Sequence, residues 1–214
     1  MDLDRLYQYR FRDVAQQKRA DVWVPIVAHI QRQMGNPQRV LDPAAGLGEF
    51  IGLIEAKERW AVDMVAHEEA GAFEGVNLIV SEIMKADLPT GHFDGIFVSN
   101  FLEHLDSQEA VFEFLSRMRE VAAPDGRIAI MGPNIAYAGK EYWDFADHIV
   151  PLTHRAVAEH LYMAGFEPEL IIPRFLPYSF TSRLPASPAL TSAYLRFKPA
   201  WRLLGKQFLV IGRK

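Results

Sequence analysis

Short apolar runs that alternate with helix-like stretches dominate the chain from residue 37 onward, and this alternation limits the folds open to it. Seven apolar runs are predicted as strands, over residues 39–42, 60–65, 77–81, 93–99, 127–131, 169–172 and 207–211. Helical spacing of apolar residues predicts helices between them, over residues 49–57, 111–121 and 153–164. Strands that alternate with helices form a parallel sheet covered on both faces, and right-handed crossovers make such a sheet doubly wound. The predicted fold class is therefore α/β and doubly wound.

The length of 214 residues, half of them hydrophobic, suits one domain with a substantial core. We predict a single domain over residues 1–214, with a helical N-terminal segment (1–36), a core (37–175) and a C-terminal segment (176–214). The chain has no apolar run long enough to cross a bilayer and no secretory signal at its acidic N-terminus, so the expected location is the cytoplasm. The absence of cysteine excludes disulfides and thiolate metal ligands, and no metal site is predicted.

A loop of small residues follows the first predicted strand, from Asp42 through Ala44, Gly46 and Gly48 to Glu49. Ligands of doubly wound sheets bind at the carboxyl ends of the strands, and small residues let a ligand approach the backbone closely. The carboxylates of Asp42 and Glu49 would repel a pyrophosphate but attract a cation, by about 1–4 kcal/mol at contact distance. The loop therefore favours a positively charged cofactor.

Two other interpretations of this loop remain open at the level of sequence. A dinucleotide-binding loop would place a third glycine at position 51, which is Ile51. A tight turn without a ligand would use Glu49 only as a partner of the helix dipole. In contrast, Asp63 lies 21 residues after Asp42, at the end of the second strand, where a carboxylate accepts hydrogen bonds from ribose hydroxyls in many nucleotide-binding folds.

The loop Asp42–Gly48 and the segment Leu102-Glu103-His104-Leu105 after the fourth strand resemble motifs of the class I S-adenosylmethionine-dependent methyltransferases, in particular of their small-molecule branch. The resemblance covers residues 37–172, and Ala44 departs from it by replacing the first glycine of the motif. It implies a Rossmann-like sheet of seven strands with the last one antiparallel, and S-adenosylmethionine as cofactor. It also implies a set of cofactor contacts: Asp42, Ala44, Gly46, Gly48, Asp63, Met64, Glu82, Ile83, Asn100 and Phe101.

The long loop after the fifth strand, residues 132–149, is the predicted acceptor site, because long loops at the ligand edge of a sheet are usually functional. Methyl transfer to a hydroxyl needs a base, most often histidine or carboxylate. His148 is the first candidate for a catalytic residue, and a residue that braces the loop is the alternative. His104 is the second candidate, and the alternative is a residue of a helix entrance. The predicted substrate contacts in this loop are Asn134, Tyr142 and Asp147.

We also predict contacts for the two terminal segments of the chain. Tyr7 and Arg10 belong to an N-terminal aromatic segment that would contact the substrate as a lid, or would pack on the sheet edge. The last 45 residues contain eight basic residues and no acidic one, whereas the preceding 169 residues have a net charge of −12. This basic segment would contact an anionic acceptor or membrane surface, or would be a solvated face of packed helices. Indiscriminate nucleic-acid binding is excluded by the acidic remainder.

The predicted function is methyl transfer from S-adenosylmethionine to a small-molecule, lipid-linked or sugar-linked acceptor, with oxygen preferred over nitrogen or carbon. The alternatives are a nicotinamide-dependent oxidoreductase on a Rossmann sheet and a methyltransferase fold that binds without catalysing.

Overall fold

The computed structural model describes Arg5, Tyr9 and residues 16–65, 73–178 and 187–214. The strands are β1 (Arg39–Asp42), β2 (Glu58–Asp63), β3 (Asn77–Val80), β4 (Phe93–Ser99), β5 (Ala122–Pro133), β6 (Glu167–Ile172) and β7 (Gln207–Arg213). The helices are α1 (Gln16–Gln33), α2 (Glu49–Leu53), α3 (Gln108–Val121), α4 (Ile135–Ala138), α5 (His154–Met163), α6 (Pro188–Arg196) and α7 (Lys198–Leu204). Short 3-10 helices cover Ile83–Lys85, Leu102–His104 and Gly139–Asp144.

The seven strands form one sheet in the order β3-β2-β1-β4-β5-β7-β6. Strands β1 to β5 pair in parallel, and β7 lies antiparallel between β5 and β6. The strand order reverses between β1 and β4, which are neighbours in the sheet although β2 and β3 separate them in sequence. The predicted Rossmann-like sheet with an antiparallel last strand is confirmed.

Both faces of the sheet are buried, as expected for parallel strands. In β4, Ile96 and Val98 face a core cluster that includes Phe114 of α3 and Leu161 of α5. Phe97, between them, faces the opposite cluster with residues of α1, α2, α6 and α7. The central strands therefore consist of consecutive apolar residues rather than an alternating pattern.

Helix α2 is shorter than predicted, because it ends at Leu53 and not at residue 57. The side-chain amide of Gln31 in α1 donates to the carbonyl of Glu55 and accepts from its N–H, at 2.9 and 3.2 Å. Ile54 takes an extended conformation and is buried in the core. A long-range contact therefore holds residues 54–57 outside the helix, and β2 begins two residues earlier than predicted.

Prolines mark three local features of the fold. Residues 124–126 form a bulge inside β5, since Phe93 pairs with Ala122 and Gly95 with Arg127. Pro25 lies within the single helix α1. Residues 187–205 form the two short helices α6 and α7, and the Ser187 side chain makes no capping hydrogen bond.

Candidate active site

The carboxyl ends of β1 to β5 meet at one edge of the sheet, because these strands are parallel. The loop after β1 starts at this edge, beside the point where the strand order reverses. In doubly wound sheets this is the position of the ligand crevice. The segments that follow β2, β3, β4 and β5 begin at the same edge, and all sequence-predicted site residues of the core lie in these segments.

The loop after β1 has the backbone conformation of a tight strand-to-helix turn. Gly46 and Gly48 have φ values of 54° and 76°, in the left-handed region that favours glycine. A Cβ atom at Gly46 would meet no atom of the described residues within 4 Å, so this side of the loop is open for a ligand. Ala44 is not among the described non-glycine residues with positive φ. The alanine that replaces the motif's first glycine is therefore not strained.

The side chain of Asp63 joins the ends of β1 and β2. Its carboxylate accepts hydrogen bonds from the N–H of Gly46, at 2.7 Å, and from that of Val65, at 3.0 Å. Ala45 N–H also donates to the carbonyl of Val62, at 3.1 Å. Asp63 thus helps to shape the glycine loop, a role that sequence reasoning did not predict. The adjacent Met64 is largely exposed at the same edge.

Asp42 is buried at the end of β1, and its carboxylate accepts a long hydrogen bond of 3.4 Å from the N–H of Ala44. Burial raises the pKa of Asp42 from 3.8 to about 8, and the negative charges of Asp63 and Glu49 add to the rise. Three carboxylates therefore surround the loop, and among the described residues no cation lies near enough to keep the buried one ionised. A positively charged ligand would supply that compensation.

The segments after β3 and β4 complete the rim of this crevice. Ser81 N–H donates to the carbonyl of Asp63, which brings Glu82 and Ile83 beside β2. Ile83 is buried, whereas Glu82 is half-exposed and pairs with Lys85 at 2.5 Å. After β4, Asn100 has a φ of 47°, and its N–H donates to the carbonyl of Met131.

Phe101 follows Asn100 and packs on Phe114, with 4.9 Å between the ring centroids. Asn100 is one of the few non-glycine residue types that tolerate the left-handed conformation. The main chain therefore turns sharply at Asn100 and leads directly into the 3-10 helix Leu102–His104.

The loop after β5 folds back onto this 3-10 helix. The carbonyl of Glu103 accepts hydrogen bonds from the N–H groups of Ile149 and Val150, at 2.8 and 3.1 Å. Tyr142 is fully buried, and its hydroxyl donates to the carbonyl of Val150. Burial, with the charge of Glu103 as a second cause, raises the pKa of Tyr142 far above its usual range, so this hydroxyl stays protonated.

These contacts assemble what we call the histidine cluster, formed by Glu103, His104, Asp147 and His148. His104 Nδ1 lies 2.9 Å from the main-chain oxygen of Asp147 and 3.3 Å from its carboxylate. The rings of His104 and His148 are 5.0 Å apart, and Tyr142 lies 4.9 Å from His148. All members except His104 are buried. The two histidines predicted from the sequence are therefore neighbours in space.

Asn134 is placed differently from the other predicted substrate residues. It is fully buried, and its amide group donates to the carbonyl of Pro173 at 2.8 Å and lies 2.9 Å from Nδ1 of His154. Its side-chain oxygen caps α4 by accepting from Ala136. These hydrogen bonds give Asn134 a role in holding the loop, and its contact with a substrate stays a prediction.

Comparisons with known proteins agree with this geometry. Residues 41–130 match the family described as the methyltransferase domain. The chain is similar in structure to an S-adenosylmethionine-dependent methyltransferase from Archaeoglobus fulgidus, with 23% identity, all of both chains covered and a TM-score of 0.64. No curated protein matches the chain in sequence.

Two further structures contain S-adenosylhomocysteine. One is a 1,6-didemethyltoxoflavin-N1-methyltransferase from Burkholderia thailandensis, with 22% identity, 99% of this chain and 85% of that chain covered, and a TM-score of 0.62. The other is the N-methyltransferase NodS from Bradyrhizobium japonicum, with 14% identity, 96% and 91% covered, and a TM-score of 0.64.

The family match spans the strands and loops that form the cofactor crevice. Residues 41–130 of the chain match the methyltransferase-domain family, and the fold is that of S-adenosylmethionine-dependent methyltransferases. The oxidoreductase alternative no longer has support, because the matched family and the carboxylates that flank the glycine loop both agree with S-adenosylmethionine as the cofactor.

One residue of the histidine cluster was not predicted from the sequence, and two predicted site residues lie outside the described residues. Glu103 belongs to the motif Leu102–Leu105, and a carboxylate flanked by Leu102 and His104 in an apolar segment could have drawn attention to it. The predicted lid residues Tyr7 and Arg10 are not among the described residues, and their role stays a prediction.

Proposed function

We propose that this methyltransferase transfers the methyl group of S-adenosylmethionine to an oxygen atom of a small-molecule, lipid-linked or sugar-linked acceptor. The observation that carries the proposal is the histidine cluster, which lies next to the segment after β4. A hydroxyl acceptor has to lose a proton during methyl transfer, and imidazole and carboxylate groups assist that loss. The oxygen forms its bond to the methyl carbon while the carbon–sulfur bond breaks and its electron pair stays on sulfur.

For the cofactor we propose contacts along the crevice. The loop from Asp42 to Gly48 would bind the methionine part, and Asp63 would accept hydrogen bonds from the ribose hydroxyls. Met64, Glu82 and Ile83 would line the adenine side, with Glu82 released from its surface pair with Lys85. Asn100 and Phe101 would lie beside the methionine portion. The open side of Gly46 and the uncompensated carboxylate of Asp42 support this orientation.

For the acceptor we propose that His148 and His104 act on the reacting hydroxyl, that Asp147 orients His104, and that Tyr142 shapes the pocket wall. The contacts of His104 with Asp147 support the orienting role. Tyr142 donates its hydroxyl proton to the main chain, so it supplies an aromatic wall and not a base.

The test is to incubate the protein with cell extract and S-adenosylmethionine labelled in its methyl group, and to identify the labelled product by mass spectrometry. We expect an O-methyl ether or ester. Once the acceptor is known, His148→Asn should lower turnover by about 10²-fold or more, while S-adenosylhomocysteine affinity changes little. His92→Gln is the matched control, because His92 pairs with Glu58 before β4, at the opposite edge of the sheet.

Each outcome decides one part of the proposal. An N-methyl product would contradict oxygen as the acceptor atom. Transfer that is unchanged in His148→Asn would contradict the role of this histidine. A protein that binds S-adenosylhomocysteine but labels nothing in extracts would favour a methyltransferase fold that binds without catalysing.

We also propose that the basic C-terminal segment contacts an anionic surface. Fewer of its eight bases are available for this contact than the composition indicated. Several of the eight bases have partners in the fold: Arg174 donates to carbonyls at the end of α7, Lys206 pairs with Glu141, and Arg213 pairs with Glu169. Lys214 donates to a carbonyl of β5. The bases left exposed on α6 and α7 are Arg196, Lys198 and Arg202.

The apolar residues of α6 and α7 divide between core and surface. Leu195 and Trp201 are buried in the core, whereas Phe197 and Leu203 are largely exposed, at 62% and 78%. Exposed aromatic and aliphatic side chains next to basic residues are typical of a helix that binds at a membrane interface. Among the described residues, every helix is too short or too polar to span a bilayer.

A further inference from the structure

Glu103, His104 and His148 each direct a metal-binding atom to one place. These three atoms all lie within 4.8 Å of one another. Two of the residues come from the 3-10 helix after β4, and the third comes from the loop after β5, more than forty positions later in the chain. The main-chain hydrogen bonds from Ile149 and Val150 to Glu103 hold the two segments together, so the arrangement does not depend on the side chains alone.

The distance between His104 and Glu103 is informative. His104 Nε2 lies 4.0 Å from Oε1 of Glu103, which is too long for a hydrogen bond. An ion bound to both atoms would lie about 2.0–2.2 Å from each. Tetrahedral coordination brings two such ligand atoms to about 3.4 Å, calculated from those bond lengths, so a small rotation of either side chain is enough.

The other nitrogen of His104 has the environment of a metal-bound histidine. Nδ1 contacts the main-chain oxygen of Asp147 at 2.9 Å and its carboxylate at 3.3 Å. Both are acceptors, so Nδ1 carries a proton, and a metal ion would bind through Nε2, which faces Glu103. Carboxylate or carbonyl acceptors behind a ligand histidine fix its tautomer and orientation in this way.

The surroundings of the three residues are aromatic and largely dry. The rings of Tyr142 and Phe145 both lie 4.9 Å from that of His148, and Tyr178 lies 6.4 Å from it. Glu103 is only 2% exposed. A divalent cation bound next to this buried carboxylate would offset the cost of its desolvation.

We propose that Glu103, His104 and His148 bind a divalent transition-metal ion, with Zn²⁺ as the reference ion, and that Asp147 is the positioning residue for His104. Two imidazoles and one carboxylate form a ligand set of catalytic zinc sites, in which a fourth position stays open. Binding of the ion is independent of the proposed function, whereas its role in methyl transfer rests on that function. An acceptor hydroxyl at the open position would become more acidic and release its proton to water before attacking the methyl carbon.

The test starts with protein freed of metal by a chelator and titrated with ZnCl₂ in a calorimeter. We expect one ion per chain. Asp147→Asn should weaken Zn²⁺ binding by about 10-fold to 100-fold, and His148→Asn and Glu103→Gln should weaken it further. His92→Gln controls for surface histidines and should bind Zn²⁺ as the wild type does. A Co²⁺-loaded sample gives a second measurement, since its visible absorption spectrum should show nitrogen and oxygen ligands and should be lost in His104→Asn.

The outcomes separate this proposal from the proposed function. Absence of stoichiometric Zn²⁺ binding, or equal binding by wild type and His148→Asn, would overturn the metal site. Methyl transfer that continues unchanged after chelation would show that the histidines take up the proton directly, and the proposed function would stand. Failure to bind S-adenosylhomocysteine, with Zn²⁺ binding intact, would instead overturn the proposed function and leave the metal site in place.

Discussion

At the scale of single residues, carboxylates determine what the crevice can bind. Asp42 is buried beside Asp63 and Glu49, and Asp63 accepts one hydrogen bond from Gly46 in the loop that precedes α2 and one from Val65 after β2. Such an arrangement costs stability in the absence of a ligand, since buried charge needs compensation. It becomes favourable when a cofactor with sulfonium and ammonium groups arrives.

Replacing Asp63 should therefore affect cofactor binding more than folding. Asp63→Asn removes a charged acceptor for the ribose hydroxyls, and we expect the binding free energy of S-adenosylhomocysteine to fall by about 1.5–3 kcal/mol in titration calorimetry. Asp94→Asn is the matched control, because Asp94 likewise accepts hydrogen bonds from two main-chain N–H groups, those of Gln38 and Arg39, but at the amino end of β4. Equal affinities for both variants would mean that Asp63 does not bind the ribose.

Asp42 should link cofactor affinity to pH. Its pKa of about 8 means that the free protein holds a proton on this carboxyl at pH 6, whereas a bound cation requires the ionised form. Affinity for S-adenosylmethionine should therefore rise with pH, by up to about tenfold per unit between pH 6 and pH 8, and then level off. In Asp42→Asn this dependence should be absent. Calorimetry in buffers of different ionisation enthalpy measures the released proton, and a release of zero at pH 7 contradicts the assignment.

The same pKa predicts the direction of a stability effect. Between the ordinary pKa of an aspartate and about 8, the native state holds one proton more than the unfolded state. Stability contributed by Asp42 should therefore decrease as pH rises through this window, which is the opposite of an ion-paired carboxylate. We would measure the difference in thermal stability between wild type and Asp42→Asn over pH 5–8. A difference that stays constant over this range would contradict the raised pKa of Asp42.

At the scale of elements, α6 and α7 combine a packing function with an exposed surface. Trp201 contacts His29 of α1 and Phe175, with ring centroids 5.7 and 5.2 Å away. The exposed side of the same helices carries Phe197 and Arg202. The two interpretations of the basic segment, as packed structure and as contact surface, therefore apply to different sides of the same helices.

The contact surface predicts binding to anionic vesicles that weakens with salt. Each base near the surface adds about 1 kcal/mol, so Phe197→Ser with Arg202→Gln should reduce co-sedimentation at least fivefold. A matched control is Tyr162→Ser with Arg155→Gln on α5, where both side chains are exposed. If control and test variants bind alike, or if the wild type binds neutral vesicles as well, the surface is ordinary solvated structure.

At the scale of the whole molecule, one sheet connects the crevice proposed for the cofactor to the loop proposed for the acceptor. Strands β1 to β4 carry the segments proposed to bind the cofactor, β4 and β5 carry the histidine cluster, and β7 lies between β5 and β6. Ligand binding at the edge of such a sheet should stabilise the entire fold, because it engages loops from several strands at once.

Thermal unfolding measures how much ligand binding stabilises the fold. A ligand present at 100 times its Kd adds about 2.7 kcal/mol to the free energy of unfolding, and we expect S-adenosylhomocysteine to raise Tm by roughly 5–10 °C under that condition. NAD should leave Tm unchanged, because its pyrophosphate would meet Asp42 and Glu49. A rise with NAD and none with S-adenosylhomocysteine would contradict the cofactor assignment.

Features that depend on neighbouring residues along the chain could be predicted before the structure was known. Apolar spacing located β1, β4, α3 and α5 to within a few residues. The loop from Asp42 to Gly48 was recognisable because left-handed glycines and flanking carboxylates are local properties. The antiparallel orientation of the last strand was predicted from the family resemblance and not from the spacing of apolar residues.

Only the tertiary structure decided the features that depend on distant partners. Gln31 ends α2 early by binding the main chain of Glu55, and Asp63 holds the N–H of Gly46. Glu103 meets His148 because hydrogen bonds join two loops that periodicity cannot relate, and this contact makes the cluster a metal-binding candidate. Local pattern encodes backbone conformation and burial, whereas the choice of long-range partners results from packing the complete sheet.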